Sequence, residues 1–473
     1  MKPCRFSGLI VLLLFFYSSS GQSVLSTSFE KRVFQYAYFS DPMVFTDPFS
    51  QPFSLEDEIS LLESLASRKE LALNGLIERR RRFLEEDKVN TNGWISSELS
   101  EFWDLNIELS YHSKDVKLHY SLGSKRSYLN DTTFGLTYNK ILIPVRSRSR
   151  LAYMSYRVNE NTEIGIGRVP FNWSLPGSFG LMISDNPWPK DGYFIRHKGK
   201  QLTFEHFSIR LDDLLSSDIR DTLSEGSLAK RYLSAHRVEV PISSQFSVSF
   251  SEAILFGGQD PALLFQYLNP ANVYFISKQA DRWGLEEDKA NPILGLDVLY
   301  TSKSGLSRIY LQLVVDDIDF LPELTAIYPN RYAIQFKVSQ ATKDYGVIAF
   351  SVKEVSYWMY TSFYTWGNFI TYNEYLGNPL NGITEVNLNH QKDINGLLLS
   401  TDITYATYKD QNRYELFDYT AHSIRNNRLL ALTMTGQRPL LNNVVANVRL
   451  QINENLESLK LGLNLSVGLS RFW

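Results

Sequence analysis

Leu459-Lys460-Leu461-Gly462-Leu463-Asn464-Leu465-Ser466-Val467-Gly468-Leu469-Ser470-Arg471-Phe472-Trp473 alternates one apolar residue with one small or polar residue and then stops on two aromatics. A period of two is that of an extended strand with one greasy and one polar face. A strand of this length that ends the chain on an aromatic matches what an outer-membrane barrel needs, with apolar side chains toward lipid and polar ones toward a wet lumen. Backbone groups cannot go unpaired in hydrocarbon, so the strand implies a closed sheet. On this reading Phe472 and Trp473 form the barrel-assembly signal, and the barrel-insertion machinery and outer-membrane lipid are expected partners.

Working toward the N-terminus, Val444, Ala446, Val448, Leu450 and Ile452 alternate with Val445, Asn447, Arg449, Gln451 and Asn453, and residues 454–458 turn the chain, which makes a hairpin with the last strand. The same period appears over Phe134–Ile143, Leu151–Val158, Gln201–Arg210, Gln245–Leu255, Leu294–Tyr300, Ser307–Val315, Arg331–Ser339, Val347–Val355 and Leu397–Tyr408. Clusters of Gly, Asn, Asp and Ser separate them. At about 10 residues per strand plus connections, Leu105–Trp473 holds on the order of 16 to 18 antiparallel strands, with eighteen favoured. The fold class is therefore an all-β transmembrane barrel.

The other end of the chain agrees with export. Lys2 and Arg5 precede an apolar run from Leu9 to Tyr17, followed by Ser18-Ser19-Ser20-Gly21, the layout of a cleaved signal peptide over residues 1–21. Cys4 is the single cysteine and leaves with that signal, so disulfide and thiol chemistry are not expected. Without Lys2 and Arg5 the 48 basic residues fall to 46 against 51 acidic ones, a net of −5, which speaks against nucleic acid as a partner. Aromatics make up 14% of the chain, with 27 Tyr and 29 Phe, enough for girdles at two membrane interfaces. Nothing after the signal approaches the roughly 20 apolar residues of a membrane helix.

Residues 54–88 follow a different period. Leu55, Ile59, Leu62, Ala66, Leu73, Leu76 or Ile77, and Leu84 recur at helical spacing, Ser54 can cap the first turn, and Glu56, Asp57 and Glu58 suit the positive end of a helix dipole. The expected organisation is thus a signal at 1–21, a largely helical periplasmic segment at 22–93, and a barrel at 94–473. The basic run Arg79–Arg82 reads as a solvated helix face, with contact to lipid phosphate or an anionic polymer as the sharper reading.

Three segments are too long and mixed for simple turns: Arg168–Asp191, Phe256–Asn291 and Thr371–Thr384. They bring flat aromatics beside Asn, Asp and Arg. That combination suits sugars, because a ring covers the apolar face of a pyranose while polar groups take its hydroxyls. The seven histidines fit no metal-binding spacing, and neither a nucleophile elbow nor a phosphate loop is present, so no enzyme and no cofactor is expected. Asp316, Asp317 and Asp319 lack the glycine and distal glutamate of a calcium loop and read as a solvated or Arg-paired turn.

At these segments the chain resembles a family. Ala235-His236-Arg237, Ser251-Glu252-Ala253-Ile254-Leu255-Phe256-Gly257-Gly258, Gln266-Tyr267-Leu268-Asn269-Pro270, Asn291-Pro292-Ile293-Leu294-Gly295-Leu296-Asp297 and Leu311–Phe320 look like the capsule-assembly Wzi family of outer-membrane proteins. Tyr357–Tyr360 and Tyr372-Asn373-Glu374-Tyr375-Leu376-Gly377-Asn378-Pro379-Leu380 resemble the family's tyrosine-rich strand and Leu-Gly segment, so the likeness covers about Gly165–Leu380. It implies an eighteen-stranded barrel with periplasmic helices that acts as a non-catalytic surface lectin for capsular polysaccharide. The chain departs in being poor in basic residues, whereas an anionic capsule calls for local positive charge.

The candidate polysaccharide-binding residues are Trp188, Trp283, Arg282, Tyr267, Asn269, Glu252, Tyr372 and Tyr375. Arg146, Arg148 and Arg150 form a basic track if extended. The parity of that track continues into Ala152, Met154, Tyr156 and Val158, so a turn is expected between, or the arginines sit at lipid headgroups. Glu252 shares the parity of Phe246, Val248 and Phe250 and is expected at a strand end or, after a bulge, inward, with a lumenal hydrogen bond. The rival function is a passive porin or nutrient-uptake channel. A lectin predicts a blocked lumen, a porin an open bore with a charged constriction.

Overall fold

In β13 (Arg331–Thr342) Ile334, Phe336 and Gln340 are exposed while Ala333, Gln335, Lys337 and Ser339 are buried, so the two-residue period separates an apolar outward face from a polar inward one. The structure, a computed structural model, describes residues 88–98, 103–112, 115–125, 146–215, 228–258, 265–280, 290–317, 329–342, 344–362, 365–371, 374–394, 397–409, 426–441, 444–455 and 458–469. The expected signal, the helical segment 54–87, Arg282, Trp283, Tyr372, Phe472 and Trp473 lie outside the described residues.

The strands preceding β13 are β1 (Lys88–Glu98), β2 (Trp103–His112), β3 (Val116–Lys125), β4 (Arg146–Asn159), β5 (Thr162–Val169), β6 (Lys190–Lys198), β7 (Thr203–Arg210), β8 (Leu214–Leu215), β9 (Leu228–Pro241), β10 (Phe246–Gly258), β11 (Asn291–Thr301) and β12 (Ser307–Asp317). After it come β14 (Gly346–Val355), the short pair β15 (Ile370–Thr371) and β16 (Glu374–Tyr375), and then β17 (Ile383–Ile394), β18 (Leu397–Lys409), β19 (Asn426–Leu441), β20 (Val444–Asn455) and β21 (Ser458–Leu469). Two short helices, α1 (Phe265–Leu268) and α2 (Tyr274–Ala280), lie between β10 and β11. Among the described residues, no helix is long and apolar enough to cross a membrane.

The main sheet has 19 strands. Every pairing in it is antiparallel, with β8 a two-residue side pairing on β9, β7 joined directly to β9 and β14 directly to β17. The ladder returns to its start, because β21 pairs with β1 from Ile95↔Val467 to Glu98↔Asn464. Its connections sort by rim. Residues 113–115, 160–161, 199–202, 242–245, 302–306, 343–345, 395–396 and 442–443 join strands at one rim, where β1 also begins and β21 ends. The long connections 126–145, 170–189, 211–227, 259–290, 318–330, 356–382 and 410–425 all leave from the other.

The outward face is an apolar band that includes Tyr156, Ile166, Phe250, Ile309, Phe336, Phe350, Leu388, Ile403, Leu430 and Met434, all exposed. β4 runs unbroken through Arg146, Arg148 and Arg150, so the expected turn is absent. Instead a register shift falls between Ser121 and Leu122, opposite Arg150, and the parity followed by Ala152, Met154 and Tyr156 does not carry over to Arg146 and Arg148. The Gly165-Ile166-Gly167 stretch packs closely, as a Cβ at Gly165 would collide with the Phe194 ring.

Candidate functional site

Two of the long connections fold into the bore. Residues 170–189 fold inward as a closed loop in which Trp173 N donates to Ile183 O (2.9 Å), Asn172 Nδ2 to Ser178 O (2.9 Å) and Gly180 N to Asn172 Oδ1 (2.9 Å). The wall holds this loop by polar side chains. Gln312 on β12 donates to Trp173 O (2.8 Å) and accepts from Leu181 N (3.0 Å), and Trp173 Nε1 donates to Glu205 Oε2 on β7 (2.7 Å).

Residues 356–382 form the second insertion. Arg231 of β9, fully buried, donates from Nε to Trp366 O (2.9 Å) and from Nη2 to Asn368 O (2.7 Å) and Ile370 O (2.8 Å). Arg331 donates to Thr361 O (2.7 Å) and pairs with Asp317 (2.8 Å) and Asp316 (3.6 Å), so these two acids form an Arg-paired cluster. The two insertions interlock at Tyr360, whose hydroxyl donates to Leu181 O and accepts from Asn378 N (3.1 Å). Burial pushes the Tyr360 phenol above its ordinary pKa, which keeps it a donor. Tyr360 has φ +71°, and a side chain at Gly377 would overlap the Leu181 carbonyl, so this contact fixes the backbone of both insertions.

Around these anchors runs one continuous apolar core. Trp173, Leu181, Met182, Met359, Tyr360, Trp366 and Phe369 from the insertions pack with inward residues of the wall from Tyr153 on β4 through Phe207, Leu233, Leu255, Val314 and Val355 to Leu429 on β19. At roughly 1.5–3 kcal/mol for each large side chain buried, this is substantial stabilisation.

Between the insertions and the wall of β13, β14, β17 and β18 lies a cavity of ≈ 230 Å³. Phe179 of the first insertion stands on it with 43% of its surface exposed. Opposite are inward side chains: Gln335, Lys337, Lys353, Glu385, Asn387 and Asp402. Lys353 pairs with Glu385 (3.0 Å); Lys337 Nζ donates to Ser178 Oγ (3.0 Å) and faces the Asp402 carboxylate. Asn387 Nδ2 donates to Thr404 Oγ1 (2.8 Å), while Gln335 Oε1 and Asn378 Oδ1 are buried on the cavity with no hydrogen-bond partner among the described residues.

The residues named from sequence do not converge there. Trp188 is half-buried in a small apolar recess with Pro187, Thr371 and Leu376. Tyr375 is buried against Tyr360 (ring centroids 5.3 Å), and Tyr267 against Phe256 (5.2 Å), so neither presents a ring face to solvent. Asn269 is exposed and caps the turn before α2, accepting from Ala271 N (3.1 Å). Glu252 is a correction: β10 keeps its register with β9 and β11, so Glu252 points outward like Phe250 and not into the lumen. It is buried because α2 lies over it. Tyr274 N donates to Glu252 Oε2 (2.8 Å) and Phe275 N to Oε1, while His236 lies 3.3 Å away.

The cavity residues were missed because the strands were read for their apolar set. Their signal was the complementary one: Gln335 and Lys337 alternate with Ile334 and Phe336, and Glu385, Asn387 and Asn389 with Val386 and Leu388. Phe179 was masked by the more conspicuous tryptophans of its segment.

Among solved structures the chain is similar to Wzi of Escherichia coli, described as an outer-membrane protein involved in group 1 capsule assembly and a carbohydrate-binding β-barrel. The two share 12% identity at a TM-score of 0.63, over 93% of this chain and 98% of that one. The likeness is one of fold. OccK5 of Pseudomonas aeruginosa (TM-score 0.44, 12% identity, 81% of this chain and 97% of that one) and OprD of the same organism (0.45, 10%, 81% and 92%) match less well, too weakly to rest an argument on. No protein-family model matches the chain, and no curated protein matches it.

Proposed function

We propose that the chain is an eighteen-stranded outer-membrane barrel that binds surface polysaccharide, without catalysis, in the assembly or attachment of a capsule or exopolysaccharide. The short-turn rim then faces the periplasm and the rim of long connections faces outward, the usual asymmetry of such barrels. The observation that carries the reading is the apolar core across the bore. A channel needs a continuous wet path, whereas a binding protein needs a rigid frame that presents loops. The fold likeness to a carbohydrate-binding barrel supports the same choice. A passive channel remains the rival.

Single-channel conductance of the purified protein in planar bilayers separates the two, with the producing strain's own surface polysaccharide added afterward. The expected result is a closed barrel that retains the polymer in a parallel pull-down. Steady large conductance indifferent to polymer would establish the channel instead.

A further inference from the structure

The cavity behind Phe179 has features that the proposed function does not by itself require. Its ≈ 230 Å³ gives room for one pyranose ring. One wall is the exposed aromatic Phe179 and the facing wall is polar. The charges on it balance, with Lys353 set against Glu385 and Lys337 against Asp402, so no cation is left over for a carboxylated sugar. A uronate placed here would meet two carboxylates as well as two ammonium groups and would lose its hydration for no net gain. The rest of that wall is neutral and polar, with Gln335, Ser351, Asn387 and Asn389 beside the two charge pairs, a surface suited to sugar hydroxyls.

We propose that this cavity, between Phe179 and the polar wall that carries Gln335 and Asn387, holds a single uncharged sugar residue. The ring face lies on Phe179, and the sugar hydroxyls face that wall. This rests on the polysaccharide reading above and narrows it, since an aromatic platform opposite a polar wall of balanced charge selects hexoses or N-acetylhexosamines over uronic acids.

The test is saturation-transfer NMR on the detergent-solubilised full chain with D-glucose, D-galactose, N-acetyl-D-glucosamine and D-glucuronate as probes. At least one neutral sugar is expected to bind and glucuronate is not. Phe179→Ala should weaken that binding about tenfold, while Phe179→Tyr, which keeps a ring face, should retain it. Gln335→Leu, which makes part of the polar wall apolar at similar volume, should weaken it as well. Preference for glucuronate, or equal binding by Phe179→Ala and the parent, would overturn the proposal. So would absence of any sugar signal in a parent protein that still retains the polysaccharide in the pull-down, which would mean a water-filled cavity and a polymer bound elsewhere. A parent that binds a neutral sugar but retains no polymer would instead sink the capsule reading and leave the cavity assignment standing.

Discussion

Trp173 donates its indole N–H to Oε2 of Glu205 at 2.7 Å, and Arg196 holds the other oxygen of the same buried carboxylate. This one group ties the first insertion to the wall and neutralises an arginine inside the bore. Glu205→Leu removes both functions, and loss of one partner of a buried pair costs about 3–5 kcal/mol. Trp173→Phe loses only the hydrogen bond and should cost about 1–2 kcal/mol. Urea unfolding in detergent, followed by heat-modifiable gel migration, should rank the two in that order; equal effects would mean that the carboxylate matters only through the tryptophan.

Arg231 is the matching anchor of the second insertion. Its guanidinium meets three carbonyls in fixed directions, a fork that an ammonium group cannot reproduce. Arg231→Lys, although it keeps the charge, should therefore destabilise by about 2–3 kcal/mol and add flickering openings to an otherwise silent bilayer trace. A lysine variant as quiet as the parent would show that the apolar core holds the insertion unaided.

Which parts of this architecture were legible in the sequence follows from what covers each strand. β12, β13, β14 and β18 coincide with runs of alternation because one face meets an apolar surround and the other a polar interior. β6 and β9 gave no such run. Their inward faces carry Arg196, Arg231 and Arg237 toward the insertions, while their outward faces carry Tyr193, Ser234 and His236 beneath α1 and α2. Cover on both sides removes the apolar face that alternation reports. The candidate site was less legible still, since Gln312 with Trp173 and Tyr360 with Leu181 are contacts between distant parts of the chain that no local period encodes.

Glu252 illustrates how that cover is held. Its carboxylate accepts from the backbone of Tyr274 and Phe275, so one outward-facing acid fixes α2 on the barrel wall, with Phe275 and Ile276 exposed on the helix and Val273 just before it. Glu252→Ala removes two charge-assisted hydrogen bonds and should free the segment at a cost of about 2–3 kcal/mol. Limited trypsin digestion is expected to cut at Lys278 faster in the variant while the barrel stays folded. Unchanged cleavage would show that the aromatic packing of Tyr267 and Tyr274 is enough.

Trp188 and Trp283 lie in the long connections assigned to the outer rim, Trp188 in a recess and Trp283 outside the described residues. Trp188→Ala or Trp283→Ala is expected to weaken polysaccharide retention on cells while surface levels stay normal. Retention unchanged in both variants would remove the two tryptophans from the binding surface and leave the Phe179 cavity as the remaining candidate.

The last strand carries the final expectation. β21 pairs with β20 along its whole length, from Val444↔Leu469 to Asn455↔Ser458, and also with β1, so it is the strand whose arrival joins the two ends of the ladder. Both described pairings lie at or before Leu469. Deleting Phe472 and Trp473 leaves them in place and should leave refolding into detergent near the parent's yield. In cells the same deletion is expected to abolish surface display, the outcome that a role for the two aromatics as assembly signal requires. Display at normal levels would refute that role, whereas equal failure in the cell and in detergent would make the two aromatics part of the fold's own stability.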